Sequence, residues 1–150
     1  MKKLAVVPCG KKKIWDIVKD YPPAPAKEVY LSNFHRLCRQ YGNEFTDQWV
    51  VLSGKHGFLF PNDIVAGQYD VTFGDKSKEV ITIEQLKQQV KEKQLDYYDE
   101  LVILTGKKYK PFIYGAFDET IKKSFPLAGY KGIGYMQQAM KQAIRDGKPL

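Results

Sequence analysis

Leu4-Ala5-Val6-Val7-Pro8-Cys9-Gly10, Trp49-Val50-Val51-Leu52-Ser53-Gly54 and Leu101-Val102-Ile103-Leu104-Thr105-Gly106 are the stretches that decide the fold. Each is a short apolar run rich in β-branched residues and free of polar alternation, the pattern of a strand buried on both faces. Between the first two, Pro22, Pro23 and Pro25 keep residues 11–26 mostly in a loop. The spacing of Val29, Tyr30, Phe34, Leu37, Cys38 and Tyr41 then predicts a helix over 27–41, stopped by Gly42. After the second run, Gly54, Gly57, Pro61 and Gly67 mark a long irregular connection reaching about Asp75, a length typical of lids and binding loops. Thr82 and Gln85 form a capping box for a helix carrying Ile83, Leu86, Val90 and Leu95. Pro111 suits the first turn of a helix over 111–122, and Phe125-Pro126-Leu127 reads as a short fourth strand. Ile133, Met136, Met140 and Ile144 share one face of a closing helix that runs to Arg145. Strands alternating with helices predict one three-layer α/β domain over 1–150 with a parallel sheet of about four strands.

Composition narrows the function classes. At 150 residues, 43% hydrophobic and 27% charged, the chain suits a single core. No apolar run approaches the roughly 18 to 20 residues that span a bilayer. Met1-Lys2-Lys3 leads into an apolar block too short for a signal peptide, so neither secretion nor membrane insertion is expected. Two cysteines, Cys9 and Cys38, do not make a disulfide scaffold, and a reducing cytoplasm fits. No His-x-x-x-His or paired-Cys spacing occurs, so no metal site and no cofactor are expected. The formal charge of +7 favours an anionic partner, a nucleic acid or nucleotide rather than a membrane, and says nothing of oligomeric state.

The three runs end alike: Cys9-Gly10-Lys11, Ser53-Gly54-Lys55 and Thr105-Gly106-Lys107. A single such tripeptide is only a turn followed by a solvated lysine. Three at equivalent positions of a parallel sheet share its carboxyl edge, where open α/β sheets bind ligands, and suggest an anion-binding rim. Gly129-Tyr130-Lys131-Gly132-Ile133-Gly134 precedes the last helix and either holds a phosphate through Gly129, Lys131 and Gly132 or simply connects. Lys107-Lys108-Tyr109-Lys110-Pro111-Phe112-Ile113-Tyr114 interleaves bases with aromatics, as single-stranded nucleic-acid surfaces do, or else is a solvated edge with Phe112 and Tyr114 in the core.

His56 follows the second strand exit and is a candidate for proton transfer, or packs its loop. His35, beside Phe34 on the first helix, reads as a packing or solvated residue. Cys9 is either a nucleophile, its pKa lowered by the lysines beside it, or a small buried strand-end residue. Asp63, Asp70 and Asp75 are loop carboxylates, of which Asp70 is the candidate acid or base, or all three are solvated turn residues.

Pro8-Cys9-Gly10-Lys11-Lys12-Lys13, Pro25-Ala26 with Tyr30-Leu31-Ser32-Asn33-Phe34, and Leu52-Ser53-Gly54-Lys55-His56-Gly57-Phe58 followed by Tyr69-Asp70 resemble the marks of an uncharacterised bacterial and phage domain family. The first two blocks are also similar to the motif of the archaeosine synthase lysine-transfer domain, with Ser32 and His35 in the matching places. Pro126-Leu127-Ala128-Gly129-Tyr130-Lys131-Gly132 resembles a DNA-contacting segment of uracil-DNA glycosylases, which implies a fold like theirs. The position of their catalytic histidine falls near Lys123, however, and the first strand-end loop has no Asp to activate water. Together these features imply an enzyme acting on a base or N-glycosidic bond of a nucleic acid or nucleotide, or a non-catalytic binding module using the same basic rim. Cys9, Lys12, Tyr30, Ser32, Ser53, Lys55, His56 and Tyr69 would line the pocket, with Thr105 and Lys107 on its rim. Lys12 and Lys55 would hold phosphate or a developing anion, Ser32 and Ser53 would orient substrate, and His56 would move protons.

Overall fold

The computed structural model describes residues 1–76 and 79–150. Strands β1 (Lys3–Pro8), β3 (Gln48–Ser53), β6 (Glu100–Ile103) and β7 (Lys122–Ser124) run parallel, and β4 (Gly57–Leu59) pairs antiparallel on the edge of β3. The sheet order is β4-β3-β1-β6-β7, with β1 central. The helices are α1 (Ala26–Val29), α2 (Asn33–Phe45), α3 (Ile83–Glu92), α4 (Lys110–Ala116) and α5 (Ile133–Asp146).

The unbroken apolar strands serve two cores at once, because successive side chains point to opposite faces. Ala5, Val7, Trp49, Val51 and Val102 pack with Leu37, Cys38 and Tyr41 of α2 and Met140 and Ala143 of α5. Leu4, Val6, Val50, Leu52, Leu101 and Ile103 pack with Leu86 and Val90 of α3 and Ile113 of α4. Helices therefore cover both faces of the sheet. Gly42 lies inside α2, where a Cβ would sit 3.1 Å from that of Ala5 and 3.3 Å from that of Trp49. It lets the helix approach the sheet and does not stop it, contrary to expectation.

Other expectations are corrected by specific contacts. The helix expected over 27–41 is split: Tyr30 is extended, and Ser32 caps α2 by accepting from the His35 N–H at 3.2 Å. Tyr30 instead forms an antiparallel bridge with Lys13, and the Leu31 N–H donates to the Lys12 carbonyl at 3.0 Å. The helix expected over 111–122 ends at Ala116, and a turn in which Asp118 accepts from the Thr120 N–H follows. The fourth parallel strand is Lys122–Ser124, not Phe125–Leu127. Its hold on β6 includes the buried Glu100, which pairs with Lys122 at 3.7 Å and accepts from the Ser124 hydroxyl at 3.1 Å. Along α5, Met140 is buried and Met136 and Ile144 partly so, but Ile133 is 58% exposed.

The connection after β3 is not wholly irregular. It folds back as β4, clamped by Gln89 of α3, which accepts from the Phe58 N–H at 2.8 Å and donates to the His56 carbonyl at 2.9 Å. Further on, β5 (Ile64–Val65) pairs antiparallel with β2 (Ala24–Pro25). That ribbon joins the two long loops across the carboxyl edge of the sheet. Among the described residues no helix is long and apolar enough to cross a membrane.

Candidate functional site

In the register of the sheet Pro8 lies opposite Leu52, and Val6 opposite Ile103, so the exits at Cys9, Ser53 and Thr105 stand on one edge as expected. β1 leads to α2 on one face and β6 to α4 on the other, which opens a crevice between their ends. A cavity of about 600 Å³ occupies it. Its walls include Pro8, Phe34, Leu104, Tyr109, Phe125, Leu127, Ile133 and Met136, with Lys107, Lys110 and Lys131 among its lining residues. Phe125 and Leu127, expected as a strand, instead wall this cavity. Thr105 lines it with a buried hydroxyl that has no hydrogen-bond partner among the described residues.

Beside the cavity lies a polar cluster made by the ribbon-joined loops. The hydroxyls of Tyr30 and Tyr69 hydrogen-bond to each other, and the Ser53 Oγ lies 2.8 Å from the Tyr69 hydroxyl. Ser53 also accepts from the backbone N–H groups of His56 at 3.1 Å and Lys55 at 3.3 Å, so it shapes the β3–β4 turn from a fully buried position. The His56 ring stands edge-on to Tyr69, 4.8 Å between centroids, and the Lys13 Nζ lies 4.4 Å from the centre of the same ring. Cation and ring attract through the ring quadrupole.

Burial dominates the titration of the cluster. It pushes the Cys9 thiol up, although Lys13 and the backbone N–H groups of Cys9, Gly10 and Gly54 pull the other way. The lowered pKa expected for Cys9 from its neighbouring lysines is therefore reversed: desolvation of the thiolate outweighs them. Burial raises Tyr30 and Tyr69 out of the physiological range and Tyr109 to about 12, with Cys9 the second influence on Tyr109. Tyr109 also lines the cavity, and its ring meets that of Phe73. Burial lowers Lys13, against the opposing influence of Cys9, Asp16 and Asp70. The His56 pKa falls through burial and then through Lys55 and Lys13, leaving a neutral imidazole at pH 7 that can accept a proton.

The expected residues are not all brought together. Cys9, Tyr30, Ser53, His56 and Tyr69 converge. Lys12 is exposed, and Lys13, 4% exposed, takes the place expected for it. The cause is nonlocal, since the bridge to Tyr30 selects which of three successive lysines turns inward. Ser32 caps α2 and packs against Gly10 rather than facing the cavity. Lys55 pairs with Glu79 at 3.8 Å, while Asp70 and Lys107 are exposed. Gly129, Lys131 and Gly132 lie exposed at the start of α5, and Gly132 takes φ +96°, open to glycine and strained for other residues. His35 is wholly buried and not solvated, with Nδ1 donating to the Pro8 carbonyl at 2.7 Å and Nε2 without a partner among the described residues.

Fold and site thus define an α/β protein with a mostly parallel sheet and a cavity at its carboxyl edge. The chain belongs to DUF6884, described as a family of unknown function, whose model matches residues 4–142. It is also 49% identical over 146 residues, 97% of each chain, to the uncharacterized protein YfjM of Bacillus subtilis (strain 168). No solved structure matches it.

Proposed function

We propose that this protein is an enzyme that acts on a base or N-glycosidic bond of a nucleotide or nucleic acid held at the carboxyl edge of the sheet. The observation that carries the reading is the cavity of about 600 Å³, whose aromatic and aliphatic walls suit a flat base and whose lining lysines suit a phosphate. The Thr105 hydroxyl, without a partner among the described residues, offers one of the few polar contacts that orient a ligand in such a site. In hydrolysis, the base would leave with the electrons of the broken C–N bond, its charge stabilised by a lysine that lines the cavity, Lys107 or Lys110. Neutral His56, in the cluster beside the cavity, would take a proton from the water whose oxygen bonds to the sugar carbon and would hand that proton to the departing base. The likeness of residues 126–132 to the uracil-DNA glycosylase segment belongs to this reading, as does a fold of that type, and Gly129 and Lys131 do line the cavity.

One observation favours the rival, a non-catalytic nucleotide or nucleic-acid binding module. Tyr30, Tyr69 and Ser53 direct their hydroxyls at one another, as a structural network would. Nucleosides, nucleotides and oligonucleotides with natural and modified bases, screened by mass detection of released or altered base, separate the two. Turnover that falls ~10²–10⁴-fold in His56→Ala, with ligand affinity within about tenfold, is the expected result. Binding without any chemical change would establish the module instead, and the absence of both would overturn the proposal.

A further inference from the structure

The net charge of this protein falls unevenly along its sequence. Residues 105–117 and 122–141 carry seven lysines and no Asp or Glu, so the rest of the chain is neutral and the whole formal charge of +7 resides in these two segments. Both wall the cavity. They also expose aromatics: Tyr135 is 64%, Tyr114 55% and Tyr130 38% accessible.

The surface features connect. Lys131 lines both the cavity and a shallow groove along α5 formed with Gly134, Tyr135, Gln137, Gln138 and Lys141. A ligand can therefore run from the cavity over Lys131 onto an open face carrying a ring and a second lysine. A mononucleotide has no need of that extension. A polyanion with flat bases does, since lysines neutralise its phosphates and exposed rings stack its bases. A second copy of this chain is disfavoured there, because a two-fold interface sets the same patch against itself and would bring the lysines together.

We infer that the ligand is a single-stranded nucleic acid, with one nucleotide in the cavity and its neighbours laid along the Lys131–Tyr135–Lys141 face of α5. This rests on the proposed function and extends it from a nucleotide to a strand.

Fluorescence anisotropy with a labelled single-stranded oligonucleotide of about ten nucleotides tests it. Calorimetry with a mononucleotide, and sedimentation with anionic vesicles, run beside it. The strand should bind at least tenfold more tightly than the mononucleotide, with an affinity that falls as salt rises. Tyr135→Ala should weaken strand binding roughly tenfold, the scale of one lost stacking contact. Lys141→Gln should shallow the logarithmic salt slope by about 0.7. Both side chains are exposed, so neither change disturbs the core, and mononucleotide affinity should stay unchanged in both. Equal affinity for strand and mononucleotide, with both variants silent, overturns this inference while the proposed function stands. Preference for vesicles overturns it in favour of a membrane surface. If neither nucleotide nor strand binds, both readings fall.

Discussion

His35 makes the stability of this fold depend on pH in a way that can be worked from its surroundings. The ring is wholly buried, its Nδ1–H is held by the Pro8 carbonyl at the end of β1, and its Nε2 has no partner among the described residues to share a second proton. Burial lowers its pKa from 6.5 to about 4, with the Pro8 carbonyl opposing and the cations of Arg39 and Arg36 adding to the fall. The unfolded chain accepts a proton as pH drops through 6.5, whereas the native state accepts it only near 4. Stability is therefore full above pH 6.5 and decreases as the solution is acidified. The difference is worth about 1.4 kcal/mol per pKa unit, giving a loss of roughly 2.5 kcal/mol between pH 7 and pH 4.5. For a chain of this size that lowers Tm by roughly 5–10 °C. The assay is urea and thermal unfolding of the wild type and His35→Asn at fixed ionic strength from pH 4.5 to 7.5. Asn keeps a donor for Pro8 but does not titrate, so its stability should be nearly flat, with a residual slope of the same sign from His56. An acid loss equal in the two proteins, or a flat wild type, would refute the reasoning.

The Cys9 thiol, pushed up by burial, should react with iodoacetamide at pH 7.5 more slowly than glutathione does. Removal of the nearby cation in Lys13→Met should slow it further, and rapid labelling near neutrality would mean that Lys13 and the backbone N–H groups outweigh desolvation. Gly54→Ala should cost about 1–3 kcal/mol, because its Cβ would stand 2.8 Å from the Val71 carbonyl oxygen and 3.1 Å from the Phe73 nitrogen, both backbone atoms. Thermal unfolding checks this, and an unchanged Tm would show that residues 71–73 yield freely.

The sequence alone determined the three buried parallel strands, the common edge of their exits, the α3 capping box and the closing helix. These are local signals: apolar runs free of alternation, a Thr–Gln pair at the right spacing, and a stripe at helical period. Tertiary structure decided the rest. β7 reads Lys122-Lys123-Ser124, with no apolar pattern, and is a strand because the open edge of β6 offers ladder bonds and Glu100 offers partners. The break at Tyr30 interrupts a helical stripe because pairing with Lys13 and bonding to Tyr69 compete with the helix there. Sequence placed Cys9, Tyr30, Ser53, His56 and Tyr69 near one site. It could not tell Lys12 from Lys13, since identical side chains in succession carry no signal of which will turn inward. That choice belongs to the β2–β5 ribbon and the Lys13–Tyr30 bridge, contacts between segments far apart in the chain, whose formation depends on what the completed sheet edge leaves to be covered.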